Sequence, residues 1–430
     1  MNEIHNAGRL REDSVLRRNL YHCTVDGLLY CVMVGIGEAF IPAFVLELGL
    51  GPVAAGLVIT VPVLIGSVTQ LFAQRVLNRV NSYVKFVAWG AFLQALLYLP
   101  LAAIALIFHA IPEHIRSGSL LGTVVFGIVT LYWVIGLSGS PAWMSMTGKL
   151  VPDRIRSKYF ATRLRWLQAA TLFGLLAHGG VLHLFEGDDR RFGFAAVFII
   201  ACVARIFSAW HLYKYTEPTD GPRNDERITL EGFAKRIRTG GEGRFILFVA
   251  YAYFAAQIAQ PFLNPFMLED LRLTAIQYSC MLAAWFFGKG LALPAVGRFA
   301  AKHGSFRTLV IGAIGLIPAV LMWFVTRDFT ALILLQFLSG VIWGIFDLSV
   351  FLHSYDCTTP RDRVMVLSCL GALNESTKTT GSLIGGRILD AGHGYGWVFI
   401  ASAAARALAI PLVIALGRAE KHAAASAKNA

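Results

Sequence analysis

Residues 216-TEPTDGPRNDERITLEGFAKRIRTGGEGR-244 decide how the rest of the chain is read. Pro, Gly and charges of both signs flank a short amphipathic run in which Leu230, Phe233 and Ile237 alternate with basic residues. That composition predicts a linker carrying a helix that lies on a surface. On either side the chain turns apolar. Runs of roughly 20 residues, enough to cross a ~30 Å hydrocarbon core as helix, lie near 20–47, 52–73, 86–109, 118–146, 160–184 and 193–213, and again near 244–267, 276–297, 308–326, 329–354, 365–388 and 395–417. Six precede the linker and six follow it.

Composition agrees with a membrane solvent. The 430 residues are 56% hydrophobic and only 15% charged, with a mean hydropathy of +0.60, far from an ordinary soluble domain. The net charge of +12 is not spread as a nucleic-acid-binding face. With the N-terminus in the cytoplasm, the basic residues of 9–18, 75–85, 149–158, 214–238, 298–307 and 361–363, with Arg418, fall on one side. Only Arg116, Arg190, Arg191, Arg272 and Arg327 fall on the other. This positive-inside asymmetry predicts a multi-pass protein of the cell (inner or plasma) membrane with both termini cytoplasmic and no nucleic-acid partner. The polar segment before the first span lacks the apolar region and cleavage site of a signal peptide. The six cysteines show no ligand spacing and fall mostly in spans, so neither disulfides nor zinc are expected.

The two halves carry a faint repeat. A shift of 222 residues sets 40-FIPAFVLEL-48 against 262-FLNPFMLED-270, aligning Phe40 with Phe262, Phe44 with Phe266, Leu46 with Leu268 and Glu47 with Glu269. Nearly the same shift sets 74-QRVLNRVNSYV-84 against 297-GRFAAKHGSFR-307, and 151-VPDR-154 lies opposite 359-TPRDR-363. The expected architecture is all-α and integral to the membrane, with about twelve transmembrane helices. Residues 1–214 form an N-terminal six-helix bundle, 215–243 a cytoplasmic linker, 244–418 a C-terminal six-helix bundle and 419–430 a cytoplasmic tail.

This layout, with its basic turns after the second and eighth spans, resembles the major facilitator superfamily of secondary transporters. Its signature loop reads roughly Gly-x-x-x-Asp-Arg/Lys-x-Gly-Arg/Lys-Arg/Lys. Here the second copy matches better, with Gly297, Lys302, Gly304 and Arg307 in or near pattern and Ala301 replacing the acid; the first reads Gln74, Asn78, Arg79, Asn81. In the family the loop acid joins a charge network that latches one face, so with Asn78 and Ala301 the latch must be weaker or built differently. Arg79, Gly297, Lys302 and Gly304 are the gating-loop candidates, and the plain alternative is that the basic ones only set topology. The resemblance also implies that the first, fourth, seventh and tenth helices line a central cavity worked by alternating access.

No phosphate-binding Gly-x4-Gly-Lys-Ser/Thr loop occurs, so transport would draw on a gradient, and that needs ionisable groups inside the membrane. Each costs ~3 kcal/mol or more at mid-bilayer and therefore demands a partner, water or a function. Glu38, in 35-GIGEAFIPAF-44, stands opposite Gln260 in the repeat. In 253-YFAAQIAQPFLN-264, Tyr253, Gln257, Gln260 and Asn264 share one stripe on an α-helix. They either face a polar solute or glue helices together. In 336-QFLSGVIWGIFDLSVFLHS-354, Trp343 lies one turn from Asp347, as a wall beside an acid or as packing. Lys289, mid-span in 284-AWFFGKGLALP-294, either neutralises Asp347 or Glu375 or holds an anion. Glu375 and Lys378 are spaced to pair with each other. Arg205 needs a partner that the sequence does not name, and His178 and His183 lack a third metal ligand. The runs 174-GLLAHGG-180 and 381-GSLIGG-386 predict close helix approach at corresponding places.

The sequence thus predicts a secondary carrier of a small organic solute, polar or anionic, with a proton as the coupling partner at Glu38 or Asp347. The expected substrate-binding residues are Glu38, Tyr253, Gln257, Gln260, Asn264, Lys289, Trp343 and Asp347. No cofactor, metal or obligate protein partner is expected. An exporter of amphipathic compounds is the alternative carrier. A membrane enzyme or a sensor is the alternative class, opposed by the lack of a nucleophile with a nearby base and by the small size of the linker and tail.

Overall fold

The structure, a computed structural model, describes residues 2–108, 112, 119–185, 190–222, 241–324 and 326–429. Arg116 and the amphipathic run at Leu230, Phe233 and Ile237 lie outside them. Among the described residues eleven helices are long and apolar enough to cross a membrane. In chain order they are α1 Asp13–Glu47, α2 Ala54–Val80, α3 Tyr83–Ile107, α4 Leu120–Leu150, α5 Asp153–Leu184, α6 Arg190–Tyr213, α7 Glu242–Asp270, α8 Ile276–His303, α9 Ser305–Phe324, α10 Phe329–Asp356 and, after α11, α12 Tyr395–Ile414. The remaining expected span, 365–388, is present as α11, Arg363–Asp390. It has the length, but the polar run 374-NESTKTT-380 takes it below the hydropathy of the others. Beyond Ile414 the last helix continues to Asn429.

The chain forms two compact units. One comprises Met1–Pro152, Trp166–Asn224 and Arg363–Ser368; the other comprises Asp153–Arg165, Asp225–Asp362 and Cys369–Ala430. In the first unit Phe44 of α1 packs against Phe194 and Phe198 of α6, with ring centroids 5.4 and 5.0 Å apart. In the second, Phe266 of α7 packs against Tyr395 and Phe399 of α12 at 5.6 and 5.0 Å. Phe44 and Phe266 are the pair set by the 222-residue shift, and their partners are each 201 residues on (194 to 395, 198 to 399). One aromatic core has been built twice.

Glycine sets the helix spacing at equivalent places. A Cβ on Gly35 of α1 would run into the Thr171 carbonyl of α5, and one on Gly174 would lie 2.7 Å from the Val32 carbonyl. In the second unit a Cβ on Gly381 or Gly385 of α11 would meet the Phe254 or Ile258 carbonyl of α7. Both contacts are the close approach that the glycine runs predicted. Gly179 and Gly180 face open space and do not take part.

The described start of the linker is a strap pinned across the ends of the first unit's helices. Tyr215 donates to Asp26 Oδ2 at 2.5 Å, and Thr216 N donates to Asn19 Oδ1 at 3.1 Å. Glu217 accepts from Ser82 Oγ, Tyr83 N and Val84 N at 2.6, 2.7 and 3.1 Å. A carboxylate there satisfies the orphan donors at the start of α3 and suits its dipole. Lys149 donates to the Asp220 carbonyl at 2.6 Å, and Gln74 Nε2 to the Pro222 carbonyl at 3.1 Å.

Candidate functional site

Both α1 and α7 break where the repeat aligns them. Pro42 has no N–H for the Glu38 carbonyl and Pro261 none for the Gln257 carbonyl, and each ring crowds the carbonyl it cannot bond. The chain answers with 3₁₀ turns over Glu38–Phe40 and Gln260–Phe262. Phe40 N donates to the Gly37 carbonyl at 3.2 Å, and Phe262 N to the Ala259 carbonyl at 3.0 Å. The Ile36 carbonyl, left without its usual donor four residues on, accepts from His178 Nδ1 at 2.7 Å. The His178 ring stacks on Phe40 at 3.4 Å. At the equivalent place in the second unit, Gly385 lies against the Ile258 carbonyl. A histidine that the sequence offers, with His183, only as an incomplete metal pair is therefore the plug of a broken helix.

Glu38 sits in the first break. Tyr132 of α4 donates to its Oε2 at 2.6 Å, Tyr98 of α3 donates to the Tyr132 oxygen at 3.2 Å, and both hydroxyls reach Met33 Sδ, at 2.9 Å from Tyr98 and 3.2 Å from Tyr132. Met33, Tyr98 and Tyr132 are all buried. Arg205, without a named partner in the sequence, donates from Nε to Gln94 Oε1 at 2.9 Å and from Nη1 to Ser208 Oγ at 3.0 Å, with its guanidinium 4.7 Å from the Tyr30 ring centroid. Its repeat equivalent is the buried Arg406 (205 to 406, the same 201-residue step), which donates to the Leu316 carbonyl at 2.5 Å. Gln94 and Leu316 are themselves 222 residues apart. The tyrosines carry no local sequence signal, whereas Arg406 is a charge inside the apolar run 395–417 and the repeat sets it opposite Arg205.

In the second unit Asp347 of α10 is the hub. Lys289 Nζ of α8 lies 2.7 Å from its Oδ2, and Tyr253 of α7 donates to its Oδ1 at 3.0 Å. The approach of α8 and α10 that allows this uses Gly288, Gly340 and Gly344, where a Cβ would meet backbone of the facing helix. Trp343, buried, stacks with Tyr253 at 6.4 Å, and Lys289 Nζ lies 4.9 Å from the Trp285 ring centroid. Lys378 and Glu375 pair at 2.7 Å, as their spacing predicted, and Lys378 also caps the Tyr253 ring at 4.9 Å. Tyr253, Lys289, Trp343 and Asp347 are thus brought together.

The amide stripe is not continuous. The α-helix containing Tyr253 ends at Gln257, and the 3₁₀ turn then changes the angular step, so Gln260 and Asn264 leave the line that 3.6-residue spacing gives them. Gln257 Oε1 is buried with no hydrogen-bond partner among the described residues, Gln260 is partly buried and Asn264 is exposed.

Among the loop candidates, Arg79 and Lys302 are exposed. Gly297 packs on the start of α5, where a Cβ would meet Ala161 and the Ser157 carbonyl. Gly304 ends α8 at φ +90°, and Asn81 ends the equivalent helix of the first unit at φ 53°. Both copies of the loop need a left-handed residue at one position, which Gly and Asn tolerate best.

Residues 245–430 match the Major Facilitator Superfamily. No curated protein sequence matches the chain. Among solved structures, a bacterial homologue of the iron transporter ferroportin in an outward-facing state is similar with a TM-score of 0.72 and 16% identity, covering 93% of this chain and 99% of that one. The proton:xylose symporter XylE gives 0.69 and 15%, covering 93% and 95%. The human organic anion transporter MFSD10 gives 0.63 and 14%, covering 93% and 99%. Residues 245–430 thus match the Major Facilitator Superfamily, and the chain as a whole shares the fold of these transporter structures.

Proposed function

We propose that the protein is a secondary active transporter that moves a small polar organic solute across the cell membrane by alternating access, coupled to protons. The observation that carries this reading is the matched pair of breaks in α1 and α7. Each half interrupts its first helix at the same point, as helices do where they line a substrate path rather than face lipid, and Glu38 is held at one of the two breaks.

In this reading Tyr253, Gln257, Gln260, Asn264 and Trp343 contact the solute. Glu38 or Asp347 carries the proton, and Lys289 exchanges its partner when Asp347 is protonated. Arg79, Gly297, Lys302 and Gly304 belong to the loops that change as the protein alternates. Both termini are cytoplasmic. The similar structures span an iron transporter homologue, a sugar symporter and an organic anion transporter; the hydroxyl, amide and indole groups of the second unit suit an organic solute.

The test is lumenal pH in proteoliposomes holding the purified protein, challenged with pools of sugars, organic anions, amino acids and lipophilic cations. The expected result is a pH change with one pool that is lost in Glu38→Gln or Asp347→Asn. Labelled solute that equilibrates without any pH change would remove proton coupling, and no solute movement with any pool would remove the transporter reading.

A further inference from the structure

Two tyrosine hydroxyls and one thioether surround Glu38 in an arrangement with more acceptors than protons. Tyr132 lies within hydrogen-bond reach of both Glu38 Oε2 (2.6 Å) and Met33 Sδ (3.2 Å), and Tyr98 within reach of both the Tyr132 oxygen (3.2 Å) and Met33 Sδ (2.9 Å). Each hydroxyl has a single proton, so it serves one acceptor at a time. With Glu38 ionised, the chain runs Tyr98 to Tyr132 to carboxylate. With Glu38 protonated on Oε2, that oxygen becomes a donor toward the Tyr132 oxygen, and the Tyr132 proton must turn elsewhere. Its remaining acceptors are the thioether directly, or the Tyr98 oxygen, with Tyr98 then donating to the thioether. Either route ends on Met33.

Resting on the reading that Glu38 loads a proton, we propose that Met33 is a positioning residue for that event. Its thioether is the acceptor that lets the hydroxyl chain reverse, so that Glu38 can be protonated without leaving a buried O–H unpaired. A buried donor with no acceptor is costly, and Met33, Tyr98 and Tyr132 are all shut away from solvent that could serve instead. The loaded proton comes from the coupled gradient and is bound at Glu38 Oε2; the tyrosine protons only rotate. The other titratable groups around Glu38 are Tyr30 on its own helix, Arg205 from α6, which acts on it through space, and His178 from α5, which is engaged with the Ile36 carbonyl. None of these offers the reversing chain a terminus.

The experiment is difference infrared spectroscopy of the full chain in lipid, following the protonated carboxyl band that disappears in Glu38→Gln. Met33→Leu keeps the volume but removes the acceptor, so it should move the titration midpoint to lower pH by about half a unit. Tyr132→Phe removes the donor to the carboxylate and should move the midpoint to higher pH, and Met33→Leu added to it should then move nothing further. An unmoved or raised midpoint in Met33→Leu, or the same shift persisting without the Tyr132 hydroxyl, overturns the proposal. Met33→Val serves if Met33→Leu does not fold. A Glu38 with no titrating band overturns both this proposal and its proton-coupling role. The expected shifts in a protein whose transport leaves pH unchanged would uphold the Met33 role while removing Glu38 from coupling.

Discussion

At the scale of single residues, Asp347 shows how a part-buried charge is kept. Lys289 and Tyr253 occupy its two oxygens, so removing one partner leaves the carboxylate only partly hydrated. Lys289→Ala should lower stability by about 1–2 kcal/mol, less than for a fully buried pair, and adding Asp347→Ala should return much of that loss, because the pair itself adds little once desolvation is counted. Thermal unfolding of the two variants beside wild type checks this. A double variant no more stable than Lys289→Ala would show that the ion pair is not the reason. The acids and the lysine were visible in sequence because charges inside apolar runs are conspicuous. Tyr132, Tyr98 and Met33 were not, because a tyrosine or methionine in a span looks like packing until a carboxylate is seen beside it.

At the scale of elements, helix spacing is set where glycine meets a facing carbonyl. Gly174→Ala should push α5 from α1 and cost about 2 kcal/mol or more, the range of overpacking, whereas Gly180→Ala, in open space on the same helix, should be neutral or slightly stabilising. Equal effects in a melting experiment would mean that the approach is not glycine-limited. Glu217 offers a second comparison, since its carboxylate takes three donors at the start of α3. Glu217→Ala should raise hydrogen exchange in the first turn of α3 while leaving the middle of that helix unchanged. Exchange that rises evenly along α3 would instead mean global loosening. The helix breaks are only half legible: Pro42 and Pro261 stand inside apolar runs where a proline bends a helix, but continuing the 3.6-residue stripe across Gln257–Gln260 assumes an unbroken α-helix that Pro261 forbids.

At the scale of the whole molecule, the charge bias predicts topology, and single cysteines in a background without native cysteines check it. Lys302→Cys should react with an impermeant thiol reagent from the cytoplasmic face and Arg272→Cys from the opposite face. Reaction of both from one side would refute the assigned orientation. By itself the sequence determined the all-helical membrane fold class, the positions of the apolar spans and the repeat that builds one aromatic core twice. Each of these follows from hydrophobic length and from repeats along the chain, and the bilayer forces every backbone group into helix. The tertiary structure alone decided which groups meet: Lys289 with Asp347, Tyr132 with Glu38, His178 with the Ile36 carbonyl, Arg205 with Gln94, and Glu217 with the start of α3. Such pairings join residues far apart in the chain and depend on how each helix is rotated and staggered against its neighbours, which periodicity within one helix does not encode.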